Sequence, residues 1–452
     1  MLLLQACNKL VAVPDNAGGQ IITSQVFSDS ANATEGVIGL YTTGTLGGWY
    51  PDIYAGLGAD ELLSNSTVAL NKAFYLDSLT AGGPGGAVAS AANFWDKYYS
   101  SDAIYRANAA LEGLAADNLL STPVRNQLVG ECKFMRAFYY FYLVNLFGDV
   151  PYVTSSDYRV SERMPRTAVN AVYDSLEQDL LLARQFMQPA YPSVGHLRPN
   201  RYTADALLAR LYLYRQQWSN AETRCDSILN SGLYALVPNL DNVFLDQSKE
   251  AIWQVGSHSS TYPKVAPSNG SPFLPLISFF APDYSLSPFV LQAFETGDLR
   301  PLHWIKSGTV SGITYTYPYK YKNNNYSNPT TTEDLMVFRL AEIYLVRAEA
   351  RARQGNLTGA MQDINVIRSR AGLGAATAGN LTAAMGVVLH ERQTELFTEW
   401  GHRWLDLKRT DSIKTVLGRE KPSWPADGHA ILYPIPYADI LYNPGLSQNP
   451  GY

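Results

Sequence analysis

Cysteine is scarce in this chain. Three cysteines in 452 residues (Cys7, Cys132, Cys225) cannot build a disulfide framework. Histidine is scarce too: the six present show no HxH or HxxxH spacing, so no metal centre is expected. Cys132 and Cys225 fall in helical patterns far apart in sequence, which leaves a zinc cluster without ligands. The net charge is only −5, and nucleic acid is therefore not an expected partner. No apolar run approaches the ~20 residues of a membrane-spanning helix. The glycine-rich stretch 82–86 lacks the strand, lysine and helix of a phosphate loop, so it reads as an irregular exposed loop. No cofactor is expected.

Apolar residues, by contrast, make up 46% of the chain against 17% charged, which marks an ordered protein with a large core; length alone allows two or three domains. Tyrosine stands out, with 30 residues beside eight tryptophans. Flat amphipathic rings suit carbohydrate stacking and interfaces, although most serve as core.

Helical periodicity dominates from residue 93 onward. Residues 93–116 read as one helix and 124–146 as a second, closed by Gly148, with Phe138 to Tyr142 at helical register as core. Thr167 is placed to cap a third helix over 167–187, with Val172, Leu176 and Leu180 on one face. Residues 202–217 and 220–231 form a helical hairpin. A second hairpin spans 334–370, where Gly355 and Asn356 end one helix and the next starts at once. The hairpins align at an offset of 139 residues, placing Ala209 on Ala348, Ala221 on Ala360 and Ile228 on Ile367. Small residues recurring where two helices cross form the tetratricopeptide pattern. About four such pairs predict an all-α fold, a tetratricopeptide-like scaffold over about 90–235 and 333–410.

Between these halves, residues 237–332 are rich in Pro, Ser, Asn and aromatics. Short strands are expected at 252–255 and 313–320. An irregular insertion of this length on a compact scaffold is expected to carry recognition.

Near the start, Leu3-Leu4-Gln5-Ala6-Cys7 reads as a lipoprotein processing site: apolar residues, a small residue, then the cysteine that takes the lipid. The apolar run is short for a signal peptide, so the true start is expected upstream. Residues 1–20 are then a signal remnant and tether, and 21–452 one domain anchored to a membrane without crossing it.

Glu391, Glu395 and Glu399 share one face of a helix expected to run unbroken from His390 to Thr410. Paired carboxylates can act as acid and base in glycoside hydrolysis. With Arg392, His402, Arg403 and Arg409 nearby, a structural charge network is the reading preferred here. For Asp60 and Glu61, bracing of the local helix is expected.

The phrase from Glu391 to Thr410 resembles the signature of the SusD/RagB family, surface lipoproteins of Bacteroidota that capture nutrients. Tyr433-Pro434-Ile435-Pro436 and the final Ser447 to Tyr452 are similar to the family's C-terminal ending. Family-like pieces also occur at Ala59-Asp60-Glu61, Asn93-Phe94-Trp95 and Phe134 to Gly148, in the right order. The resemblance implies a non-catalytic outer-membrane protein of a polysaccharide-utilisation system. It would bind an oligosaccharide at the cell surface and pass it to a SusC-type TonB-dependent transporter. Peptide capture, as in the RagB branch, is the alternative; a glycoside hydrolase is the less favoured one. The resemblance places the ligand where the loops after Glu61 meet the segment between Ser257 and Trp304. This chain has Leu62-Leu63-Ser64-Asn65 where the family's glycan-binding members carry aromatics. Stacking is therefore expected from Tyr262, Phe280 and Tyr284, with Trp304 and Tyr75 as second choices. Hydrogen bonds are expected from Asn65, Asn71 and Asn269.

Overall fold

The computed structural model describes residues 26–27, 29–41, 46, 51–83, 92–99, 103–116, 119–256, 271–277, 279–324 and 332–452. The molecule is mainly α-helical. Its spine is a stack of antiparallel helices. Ile104–Ala116 packs on Thr122–Phe147, which packs on Val169–Phe186, then Arg201–Tyr214, then Trp218–Leu229. The next layer is Leu340–Arg353, lying directly on Trp218–Leu229 and followed by Leu357–Arg370 and Leu381–Glu395. The stack thus continues across an excursion of about a hundred residues in sequence. The repeat seen in the sequence explains the continuity: Ala209, Ala348, Ala221, Ala360, Ile228 and Ile367 are all buried at the crossings, where small side chains let helix axes come close.

The long helix Thr122–Phe147 is the hub. Proline sits in its first turn, where a missing N–H costs nothing, and Gly148 at φ +76° ends it. Phe138 through Tyr142 are all buried. Phe134 and Phe138 meet Trp253 edge-on, with centroids 5.2 and 5.6 Å apart, and Trp253 stacks on Phe338 at 6.3 Å. Such edge-to-face arrangements suit the ring quadrupole. Cys132 and Cys225 are buried free thiols.

Four local expectations need correction. Residues 335–339 were expected to open a helix but form strand β6 (Leu335–Arg339), which pairs antiparallel with β2 (Ala251–Val255). All ten residues of the pair are buried, and a short apolar run buried on both faces has no period that separates strand from helix. The helix expected from His390 to Thr410 is two: Leu381–Glu395 and His402–Arg409. Between them Thr398 and Trp400 adopt positive φ (54° and 46°) and Gly401 follows at 70°. That turn lets Phe397 and Trp400 both enter the core. Residues 93–116 likewise split into Ala92–Tyr99 and Ile104–Ala116. Finally, Thr167 does not cap its helix; the Asp149 carboxylate accepts from the Val169 N–H at 3.0 Å.

The acidic face is a buried charge lattice. Arg300 donates to Glu391 (2.7 Å) and Glu395 (3.2 Å). Arg339 reaches Glu395, Glu399 and Glu250 at 2.5, 2.7 and 2.9 Å. Arg370 bridges Glu395 and Glu250. Arg392 is not part of it, contrary to expectation: it pairs with Asp406 at 2.7 Å.

Candidate functional site

The insertion leaves the stack at its neck, the β2–β6 pair, and folds back on the N-terminal segments. Strand β1 (Leu62–Ser64) pairs antiparallel with β3 (Tyr284–Leu286), setting Leu62 opposite Leu286 and Ser64 opposite Tyr284. The loop after Glu61 therefore does meet the insertion. Asn65 fastens the junction, its Nδ2 donating to the Pro282 carbonyl (3.0 Å) and Ser285 Oγ (2.7 Å). Asp60 holds Arg403 bidentately, at 2.7 Å through one oxygen and 2.5 Å through the other. Burial works against the Asp60 charge, but the Arg403 guanidinium holds its carboxyl below the ordinary range. Burial together with the Asp60 charge pushes Glu61 up to about 8. The pair braces a distant element and not the local helix as expected: Asp60 ties to Arg403, and Glu61 accepts from the Thr398 N–H at 3.3 Å.

Several residues expected at a ligand surface are committed elsewhere. Trp304 is fully buried and its indole N–H donates to the Leu240 carbonyl at 3.0 Å. Its ring faces the Lys320 ammonium at 4.8 Å. It is a core residue, not a stacking platform. Tyr284 is also buried, as a strand residue, and its hydroxyl accepts from Asn71 Nδ2 at 2.9 Å. That bond occupies Asn71, itself buried. Tyr75 is half-buried beneath the Lys421 ammonium, 5.6 Å from its ring. Tyr262, Asn269 and Cys7 lie outside the described residues.

Phe280 lies at the surface. It is 50% exposed and touches Phe279, 68% exposed, with ring centroids 5.1 Å apart. Phe280 lines a cleft of about 460 Å³ between residues 274–277, 280 and 282 on one side and a two-stranded hairpin on the other, β4 (Ile305–Val310) with β5 (Ile313–Pro318). Tyr317 and Tyr319 line the opposite wall with Lys306, and Asn324 closes one end. The Asn324 amide donates to the Pro275 carbonyl at 2.9 Å, tying the two walls together. Lys306 and Lys322 stand 4.6 and 5.5 Å from the Tyr319 ring. Burial raises the Tyr317 phenol, with Lys306 opposing, so it stays a neutral donor and acceptor.

Sequence reasoning missed Tyr317, Tyr319 and Lys306. The signal was present in TYTYPYKYK: alternation places Tyr315 and Tyr317 on one side of the strand, and Tyr319 continues that spacing. Behind the cleft, Lys320 points the other way. Its Nζ donates to the Glu395 and Phe397 carbonyls, both at 2.8 Å, and to Glu399 at 2.5 Å. Burial lowers that ammonium to about 8. One residue of the hairpin's exit thus lines the cleft while the next is stapled to the scaffold.

Residues 79–213 match a family described as "Starch-binding associating with outer membrane", and residues 305–424 match the SusD family. The first match runs along the spine into Arg201–Tyr214, and the second takes in the insertion's hairpin and the spine that follows it. The chain belongs to the SusD/RagB family. Among curated relatives, SusD-like protein P2 of Formosa agariphila is 26% identical over 83% of either chain. Starch-binding protein SusD of Bacteroides thetaiotaomicron is 25% identical over 71% of this chain and 72% of its own. A solved laminarin-binding SusD-like protein superposes with a TM-score of 0.78 at 23% identity, over 93% of this chain and 99% of that one. That similarity shows a shared fold. The SusD/RagB spine is therefore the stack described above, and the cleft sits on the part neither family match reaches in full.

Proposed function

We propose that this protein captures an oligosaccharide at the cell surface without acting on it chemically. The observation that carries the reading is the cleft itself. The exposed Phe280 faces two tyrosines across a space of about 460 Å³, with an amide and an ammonium at its edges. Aromatic faces cover the apolar faces of sugar rings, and convergent polar groups bind hydroxyls. Relatives described as starch-binding and laminarin-binding support the same chemistry.

The acidic cluster supports binding over hydrolysis. Glu391, Glu395 and Glu399 are each engaged by arginine or lysine. A general acid must be able to hold a proton. Burial opposes ionisation of Glu395, yet the surrounding arginines hold it far below the carboxylate range. Burial raises Glu391, which is wholly enclosed and tied to Arg300 and Arg368, out of reach of a substrate. Peptide capture is the second reading, favoured by Lys306 at the cleft edge, which would pair with a peptide carboxylate.

In the proposed cycle the protein is held at the outer membrane through a lipid on Cys7, outside-facing, and hands its ligand to a SusC-type TonB-dependent transporter. Among the described residues, no helix is long and apolar enough to cross a membrane. Calorimetry with laminari- and malto-oligosaccharides, beside a peptide panel, tests the ligand class. Pull-down from native membranes tests the partner. Binding of peptides but not glycans selects the second reading; product release from a glycan refutes capture.

A further inference from the structure

A second cleft, of about 530 Å³, lies at the other end of the stack, away from the insertion in sequence. Its size falls within the ~300–1,000 Å³ typical of small-ligand sites. Four chain segments build it: the Ala92–Tyr99 helix through Trp95 and Tyr99, the start of the Ile104–Ala116 helix, the loop 151–162 and the C-terminal residues 439–446. Three exposed tyrosines stand around it. Tyr105, Tyr158 and Tyr442 are 47%, 71% and 82% exposed. Tyrosines so exposed contribute little to the core, and three around one concavity are more than scattered surface apolar residues require.

The cleft is also polar in the way a sugar requires. Asp439 is half-buried in its wall. Burial and the neighbouring Asp96 charge raise its carboxyl to about 6, with the Trp95 side chain opposing; above that pH it presents acceptor oxygens only. Ser155 and Ser156 line the facing wall. The Glu112 carboxylate fixes them, accepting from Ser155 Oγ at 3.1 Å, from the Ser156 N–H at 2.9 Å and from the Ser156 hydroxyl. Tyr158 is placed by a short turn whose Asp157 caps it and pairs with Arg159 at 2.6 Å. The loop is therefore shaped before any ligand arrives, which reduces the ordering cost of binding.

We propose that this cleft is a second carbohydrate-binding site. Tyr158 and Tyr442 form its stacking faces, and Asp439 accepts from sugar hydroxyls. The proposal extends the glycan reading made for the insertion cleft. One protein with two such sites holds a long glycan bivalently, and the second contact is made at high effective concentration.

The test separates the two sites. Wild-type protein, Phe280→Ala and the double variant Tyr158→Ala/Tyr442→Ala are titrated calorimetrically with laminarihexaose and with maltohexaose. In parallel, wild-type crystals are soaked in the same sugars. Both tyrosines are exposed, so the double variant should melt like wild type. Two hexasaccharides per protein are expected, falling to one in either variant, with a sugar ring against Tyr158 or Tyr442 in the soaked crystal. Stoichiometry of one or none in wild type, or an unaltered double variant, overturns the proposal. A double variant that loses its site while Phe280→Ala binds two instead refutes the insertion cleft and leaves this one standing.

Discussion

Replacing Glu395 by glutamine should cost stability and leave ligand binding intact. The Glu395 carboxylate is fully buried and receives Arg300 at 3.2 Å, Arg339 at 2.5 Å and Arg370. Glutamine keeps the volume but removes the charge, so three buried guanidiniums share one carboxylate fewer. Removing one partner from a buried ionic cluster costs roughly 3–5 kcal/mol. For 452 residues unfolding together, 1 kcal/mol moves the midpoint by about 1 °C, so the melting temperature should fall by ~3–5 °C. The pH dependence gives a second check. Although burial opposes it, the arginines depress the folded pKa of Glu395. Its contribution is therefore complete above the unfolded value near 4.3 and is lost as pH falls toward the folded one. The gap between wild type and variant should be constant from pH 5 to 8 and narrow by about 1.4 kcal/mol per unit below pH ~4. Calorimetric melts across that range measure it. An unchanged midpoint, or a stable variant that no longer binds ligand, would refute the structural role.

Other outcomes follow from the same contacts. Phe280→Ala and Tyr319→Ala should each weaken oligosaccharide binding about ten- to a hundredfold by calorimetry, a loss of ~1–3 kcal/mol per stacking ring. Tyr284→Ala, which empties a buried strand position and strands Asn71, should lower the melting temperature by the cost of a large core truncation, ~3–5 kcal/mol; binding lost at full stability would contradict its core assignment. Burial, aided by the Glu399 charge, raises Asp52 to about 8. Its favourable contribution is complete below its unfolded pKa near 4 and is lost as pH rises through 8, so Asp52→Asn should flatten the stability decline between about pH 4 and 8. Palmitate labelling of cells expressing the natural precursor should disappear in Cys7→Ala; persistent labelling would exclude that anchor.

The spine was legible because its signal is local. Ala209, Ala348, Ala221 and Ala360 recur at one spacing and are buried by the same crossings. The strand β6 was not legible, since Leu335 to Phe338 is apolar on every side and only its pairing with β2 decides its form. The site was half legible. The meeting of the Glu61 loop with the insertion was implied by the resemblance to SusD/RagB proteins, and the β1–β3 pair realises it. Which aromatics face outward was not. Trp304 and Tyr284 carry the same residue-type signal as Phe280, and only tertiary contacts bury the first two. Tyr319 was readable from its alternation, but alternation in a loop-rich segment competes with a coil of equal composition.

The insertion looks detachable, since β2 and β6 close its neck and the spine continues directly beneath. The charge lattice argues otherwise. Arg300 and Lys320 belong to the insertion, and both end on the Leu381–Glu395 helix and the turn after it. Without them Glu391 keeps, among the described residues, Arg368 at 3.4 Å, and Glu399 loses its lysine. Buried carboxylates left in that state are costly. Replacing 257–331 by a short glycine-serine linker should therefore give a chain that fails to show a cooperative melt. Inserting the same linker at the hairpin tip, between Ser311 and Gly312, should be tolerated, because that turn is exposed and Gly312 at φ +81° has open space around it. Circular dichroism melts of both chains decide the matter. A deletion that melts as sharply as wild type would mean that the spine stands alone and that these ion pairs only position the cleft.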